Sequence, residues 1–271
     1  MFAFPGGEFM VFYDYASLHQ KDPATGERTS NEQAAFAAAL ETMGTWYAHQ
    51  LATTYALDVL PPGWDTTPYA GRGWTTFEAA VSALAKEASA TSFNRHVRAS
   101  EPARQGYGTT RPPPVAPEAF AATLARKAFT NGKSDCELVA GLYADTFEAA
   151  FGGAERLVYN NTGWGDAEVE KLARALHLER NARFLNLAGN DDIGAAGWRA
   201  LAAAIRAGGA PRLKVIKPWI DRRQGPGAEV AWPLHRTDDG FITSIDGGAL
   251  RTACEGRGIT LGEEIDLRCI P

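Results

Sequence analysis

Only three of the 271 residues are cysteine: Cys136, Cys254 and Cys269. An odd, scattered set with no Cys-x-x-Cys pair supplies neither a disulfide framework nor a zinc knuckle. It fits a reducing, cytoplasmic setting. No run approaches the roughly 18 apolar residues of a membrane span. The opening stretch MFAFPGGEFMVFYDY has no basic segment followed by an apolar one, so it does not read as a secretion signal. Positive charge is not in excess either. Lys and Arg number 27 against 32 Asp and Glu, a net charge of −5 and a pI near 5.6. That balance argues against general binding to nucleic acid or anionic membranes.

Other absences narrow the chemistry. No glycine-rich phosphate loop of the Walker or Rossmann pattern is present, which excludes common nucleoside triphosphatase and dehydrogenase designs. No nucleophile elbow is present. The five histidines, at 19, 49, 96, 177 and 235, show no ligand spacing with cysteine or acid clusters, so no metal site is expected. What remains is ordinary for a globular protein: 45% hydrophobic and 22% charged residues. The length suits one large domain or two ordinary ones. With 28 glycines and 15 prolines, the chain is heavily punctuated.

The front block begins with the apolar run Phe9-Met10-Val11-Phe12-Tyr13, which reads as a buried strand. Polar Asp14 follows directly, with Ser17, His19 and Gln20 in the next loop. Ser30-Asn31-Glu32-Gln33 offers a capping box, and Phe36, Leu40, Met43 and Tyr47 then form one face of a helix. Thr53 to Leu60 is a second strand candidate, stopped by Pro61-Pro62-Gly63. Beyond it, Arg72, Trp74 and Glu78 lie at the start of a helix expected from near Thr75, with Phe77, Val81 and Leu84 as its buried stripe. Residues 99–117 include Pro112-Pro113-Pro114 and read as a linker between two lobes, 1–98 and 118–271.

The second lobe is expected to open with a helix at Pro117 backed by Phe120 and Leu124. Ser134-Asp135-Cys136-Glu137 reads as the capping box of another, with Leu138, Leu142, Phe147 and Phe151 on or near one face. Then a unit recurs. Arg156-Leu157-Val158-Tyr159 matches Phe184-Leu185-Asn186-Leu187 28 residues on, and Arg212-Leu213-Lys214-Val215 a further 28 on. Trp164-Gly165 matches Ile193-Gly194, and Leu172 and Leu176 match Leu201 and Ile205, at an offset of 29. Such units cannot bury their apolar face alone and stack into a solenoid. The segment LNLAGNDDIGAAGWRALAAAI resembles leucine-rich repeats of the ribonuclease-inhibitor type, in which Leu185, Leu187, Asn190, Ile193, Gly197, Leu201 and Ile205 hold the repeat positions. The alternative is two ordinary βα units of a parallel sheet. Phe241 to Ile245 is a candidate final strand. The repeat lobe is expected to dock a protein partner on an exposed strand face.

The front block resembles the heterokaryon-incompatibility domain through Asp14 and Gln20, Met43 and Tyr47, and the Arg72-x-Trp74-x-x-x-Glu78 motif. The same layout is similar to TIR-type domains. The resemblance covers residues 9–90 and implies a partial flavodoxin-like or TIR-like parallel sheet ahead of the repeat-like βα array. Those families carry a further strand and helix before the aspartate-bearing strand; here that opening is truncated or supplied from elsewhere. The resemblance implies a signalling or defence module that cleaves NAD, as a substrate rather than a cofactor. Glu78 is then the catalytic residue, and Asp14, Gln20, Arg72 and Trp74 bind ligand. A carboxylate suits this reaction because cleavage of the nicotinamide–ribose bond builds positive charge on the sugar. Arg72 suits a phosphate, and Trp74 a flat ring. Each has a plainer reading: Glu78 as the N3 partner in a Thr75-x-x-Glu78 box, Trp74 as a core anchor, Arg72 as an ion-pair partner of Asp14 or Glu78. The front would either cleave the nucleotide or signal through self-association; the competing function is a non-catalytic scaffold that binds proteins through its repeats.

Overall fold

The start of the first described helix is set by local polar chemistry. In the computed structural model, which describes residues 11–13, 17–86, 96–100, 111–218, 234–236, 242–244 and 247–261, α1 spans Ser30–Ala48. Its capping box is one residue earlier than expected. Glu32 accepts from the Thr29 amide at 2.9 Å, and the Thr29 hydroxyl accepts from the Glu32 amide at 3.3 Å. The chain divides into two compact units, Met1–Met43 and Gly44–Pro271. This division falls ahead of the expected linker at 99–117. Residues on both sides of that stretch pack together in the second unit: Gly73 donates to the Ala128 carbonyl at 2.9 Å, and Arg111 is 1% exposed.

The first unit does not contain the expected strand in its described part. Val11, Phe12 and Tyr13 are exposed, Val11 at 79%, and are not assigned to a strand. Phe9 and Met10 lie outside the described residues. The order here comes from polar contacts instead. Arg28 donates to the His19 carbonyl at 2.6 Å and covers the Phe36 ring at 3.6 Å.

In the second unit, β1 (Thr54–Ala56) and β2 (His96–Arg98) form a parallel pair, with Thr54 opposite His96 and Ala56 opposite Arg98. Between them, α2 (Gly73–Ser82) buries Phe77 and Val81. Helix α3 (Pro117–Leu124) starts at its proline and buries Phe120 and Leu124, as expected. Helix α4 (Lys133–Phe147) has its N-cap at Gly132, without a side-chain cap. Its buried stripe is Val139, Tyr143 and Phe147, continued by Phe151, whereas Leu138 is exposed. The expected leucine stripe is thus displaced by one residue. The aromatic ladder decides the rotation: Phe120 stacks on Tyr143 at 3.7 Å, and Phe147 lies 4.7 Å from Phe151.

The repeats build a four-stranded, all-parallel sheet. After β3 (Arg156–Val158), helix α5 (Asp166–Ala175) returns the chain to β4 (Phe184–Asn186), and α6 (Ala195–Arg206) returns it to β5 (Val215–Lys217). A short antiparallel hairpin, β6 (Leu234–Arg236) with β7 (Ile242–Ser244), precedes α7 (Gly247–Glu255) and β8 (Thr260–Leu261). The sheet order is β3-β4-β5-β8, and α5, α6 and α7 pack side by side. The architecture is therefore mixed α/β with short parallel sheets.

Two corrections concern the repeats. Arg156 pairs with Phe184 as the spacing predicts, but Phe184 pairs with Val215, not Arg212. The extra residues are taken up by a turn in which Gly208 and Ala210 have positive φ. The final strand is Thr260–Leu261; Ile242–Ser244 belongs to the hairpin, while Phe241 and Ile245 lie outside the described residues. Successive strand residues point to opposite faces. Leu157, Leu185 and Ile216 are fully buried on one; on the other, Val158, Phe184 and Val215 are buried, while Arg156, Asn186 and Lys217 are half-exposed.

Candidate functional site

A polar cluster gathers at the carboxyl ends of β1 and β2, where open parallel sheets place their ligands. Asp58 follows β1 and is almost wholly enclosed. It accepts from Arg98 Nε at 2.8 Å, from the Ser100 amide at 2.8 Å and from the Ser100 hydroxyl at 2.6 Å. Burial works against its charge, but the Ser100 and Arg98 hydrogen bonds outweigh burial and hold the carboxyl below its ordinary range.

Tyr69 lies on the single turn Tyr69–Gly71 that leads into α2. Burial, and after it the carboxylates of Glu78 and Asp58, push its phenol above the ordinary value; Arg98 and Arg72 act the other way. These four charged groups are thus near enough to act on one phenol. The Arg72 guanidinium lies 5.9 Å from the Tyr69 ring centroid. Among the described residues Arg72 makes no ion pair, and its Nε is buried without a hydrogen-bond partner. The plainer reading of Arg72 as the ion-pair partner of Glu78 is therefore set aside.

Arg72 is also the N-cap of α2. Its carbonyl accepts from the hydroxyls of Thr75 at 3.2 Å and Thr76 at 2.7 Å. The Thr75 hydroxyl donates to the Tyr69 carbonyl as well. Thr75 is thus inside the first turn and not at its cap, and Glu78 lies beyond that turn. The expected Thr75-x-x-Glu78 capping box does not form. Glu78 sits half-buried on the side of α2 within reach of Tyr69.

The other expected site residues are placed differently. Trp74 donates its indole N–H to Asp135 Oδ2 at 3.4 Å and meets Phe77 edge-on at 6.4 Å. Asp135 in turn accepts from the Asn131 amide at 3.2 Å. Trp74 therefore ties the start of α2 to the start of α4, the anchor role. Gln20 belongs to the first unit and donates to the Leu18 carbonyl at 3.1 Å. Asp14 lies outside the described residues. Met43 is buried and Tyr47 half-buried along α1. Of the expected site residues, Arg72 lies 5.9 Å from the Tyr69 ring centroid, and Glu78 is half-buried on the same helix. Sequence reading missed Asp58, Tyr69, Arg98 and Ser100; the one signal for Asp58 was an acid inside the strand candidate Thr53 to Leu60.

The βα array holds its own polar constellation. Asn190 is 6% exposed. Its Oδ1 accepts from the Thr162 amide at 3.0 Å and the Trp164 amide at 3.1 Å, and its Nδ2 donates to the carbonyls of Tyr159 at 2.7 Å and Leu187 at 2.8 Å. Asp166 Oδ1 accepts from the amides of Gly194 at 2.6 Å and Gly197 at 2.8 Å, so a side chain of α5 caps α6. These groups are consumed in stitching one unit to the next. Among the described residues no group of acids, histidines and cysteines could hold a metal ion, and no helix is long and apolar enough to cross a membrane. No protein-family model, curated protein or solved structure matches this chain.

Proposed function

We propose that the chain is a cytoplasmic signalling or defence module whose front cluster binds a nucleotide, with NAD as the substrate. The observation that carries this reading is the Arg72 guanidinium 5.9 Å from the Tyr69 ring, its Nε buried without a hydrogen-bond partner, at the start of the helix that carries Glu78. The motif that resembles heterokaryon-incompatibility and TIR-type domains supplies both residues. Arg72, which makes no ion pair with another described residue, binds a phosphate oxyanion. Glu78 stabilises the positive charge that develops on the ribose as the bond to nicotinamide breaks. Water completes the reaction, giving ADP-ribose, nicotinamide and a proton. Purified protein incubated with NAD releases nicotinamide on this reading, and Glu78→Ala lowers the rate at least a hundredfold. No release by the wild-type chain would remove the catalytic part.

A second reading is favoured by a separate observation. The side chains of Asn190 and Asp166 link successive βα units in the manner of a short leucine-rich-type array. On this reading the chain is a non-catalytic scaffold that binds protein partners through its repeats. Absence of nicotinamide release would favour the scaffold.

A further inference from the structure

Arg111 is 1% exposed and lies far in sequence from every group it touches. Its Nε donates to the Ala83 carbonyl at 2.8 Å, and its Nη1 donates to the carbonyls of Lys86 and of Val158, the latter at 3.0 Å. Its guanidinium covers the Tyr159 ring at 4.8 Å. Its own carbonyl accepts from the Trp164 indole. Enclosing a cation is costly unless partners are well placed. Here the partners are carbonyls just past the C-terminus of α2, the negative end of its dipole. Tyr159 donates its hydroxyl to the neighbouring Leu84 carbonyl, and Gln50 donates to that of Ala85 at 2.6 Å. Four successive carbonyls, Ala83 to Lys86, thus each have a side-chain donor, and Arg111 supplies two of them.

The consequence lies in what Lys86 and Arg111 bracket. The chain between them carries β2 and Ser100, and among the described residues β2 pairs with β1 through three residue pairs, followed by the Ala99 amide on the Ala56 carbonyl at 2.9 Å. We infer that Arg111 is a positioning residue for the candidate site: by donating to the Ala83, Lys86 and Val158 carbonyls it closes the neck of this excursion. It thereby holds β2 beside β1, with Arg98 and Ser100 on Asp58. Arg111 acts through Arg98 and Ser100 and does not itself touch the cluster. The planar guanidinium is needed because three carbonyls must be met from one side chain, which a lysine ammonium on a single-point stem does poorly.

The inference rests on the proposed reading of the cluster as the site, but its test needs no NAD. Backbone hydrogen exchange is followed in the full chain for the wild type, Arg111→Met and Arg111→Lys. The expected result is at least tenfold faster exchange at the β1–β2 reporter Ala99 in Arg111→Met, with Arg111→Lys between it and the wild type. Leu187 and Val215, reporters of the β4–β5 region, keep their wild-type rates. Wild-type exchange at Ala99 in Arg111→Met would overturn the proposal. So would an equal loss of protection at Ala99, Leu187 and Val215 in both variants, which would make Arg111 a general core residue. Should Arg111→Met fail to fold, Arg111→Lys decides alone, by selective or uniform acceleration.

Discussion

Asn190 uses both its amide oxygen and its amide nitrogen inside the protein, a demand no apolar residue can meet. Removing it leaves the Thr162 and Trp164 amides buried without acceptors. Each such loss costs about 1–3 kcal/mol. Asn190→Ala is therefore expected to lower unfolding stability by about 3–5 kcal/mol in urea titration. Glu179 poses the opposite problem. It is fully enclosed, and its Oε1 accepts from the Asn181 and Ala182 amides at 2.6 Å, while Oε2 has no partner. Burial raises its pKa above 4.5 despite those bonds. The folded state thus holds the proton more tightly than the unfolded one. Stability from this group is present below pH of about 4.5 and is lost as pH rises through the folded pKa. Glu179→Gln keeps the acceptor and removes the charge. Its stability relative to wild type is expected to grow between pH 4.5 and 7, measured by paired urea midpoints; a constant difference across that range would refute the assignment.

Residues of this kind were only partly legible in the sequence. Asn190 was readable because it sits at a fixed place in a recurring unit. Glu179, Arg111 and Asp58 were not, because their partners are set by how separate segments meet. Arg98 belongs to a strand of three residues paired with another of three, too short for any alternation to show.

At the scale of elements, helices were read well where apolar spacing and a breaker agreed, as at Pro117 and along α5 and α6. They were misread where two stripes competed. Along α4, Leu138 and Leu142 offer one face and Val139 and Tyr143 the next; stacking of Tyr143 on Phe120 selects the second. The start of α2 is fixed by close approach. A Cβ built on Gly73 would lie 1.9 Å from the Phe129 ring, so the glycine lets the segment around Ala128 pair with Gly71 and Gly73. Gly73→Ala is expected to cost about 1–3 kcal/mol through overpacking. Adding Phe129→Ala should recover part of that loss, and a double-mutant cycle reads the coupling. At the next helix start, Asp166→Ala removes the acceptor for two α6 amides and is expected to cost about 1–2 kcal/mol. The melting temperature reads this, and Asp166→Asn should lose less.

Across the whole chain, composition and periodicity identified a mixed α/β protein, and one repeat offset, from Arg156 to Phe184, is the register in the sheet. The division of the chain was not readable in the same way. Proline and glycine marked residues 99–117 as a break, yet Arg111 within that stretch is a buried hub. Breakers report where regular backbone stops; they do not report where contacts stop.

The central claim is that the cluster around Tyr69 receives a nucleotide on Arg72. Calorimetric titration of NAD into the full chain tests it most directly, alongside Arg72→Gln and, as a control, Asp166→Asn. The account predicts saturable binding by the wild type and the control, weakened at least tenfold in Arg72→Gln, about 1.4 kcal/mol. No saturable binding, or equal binding by all three, would contradict it.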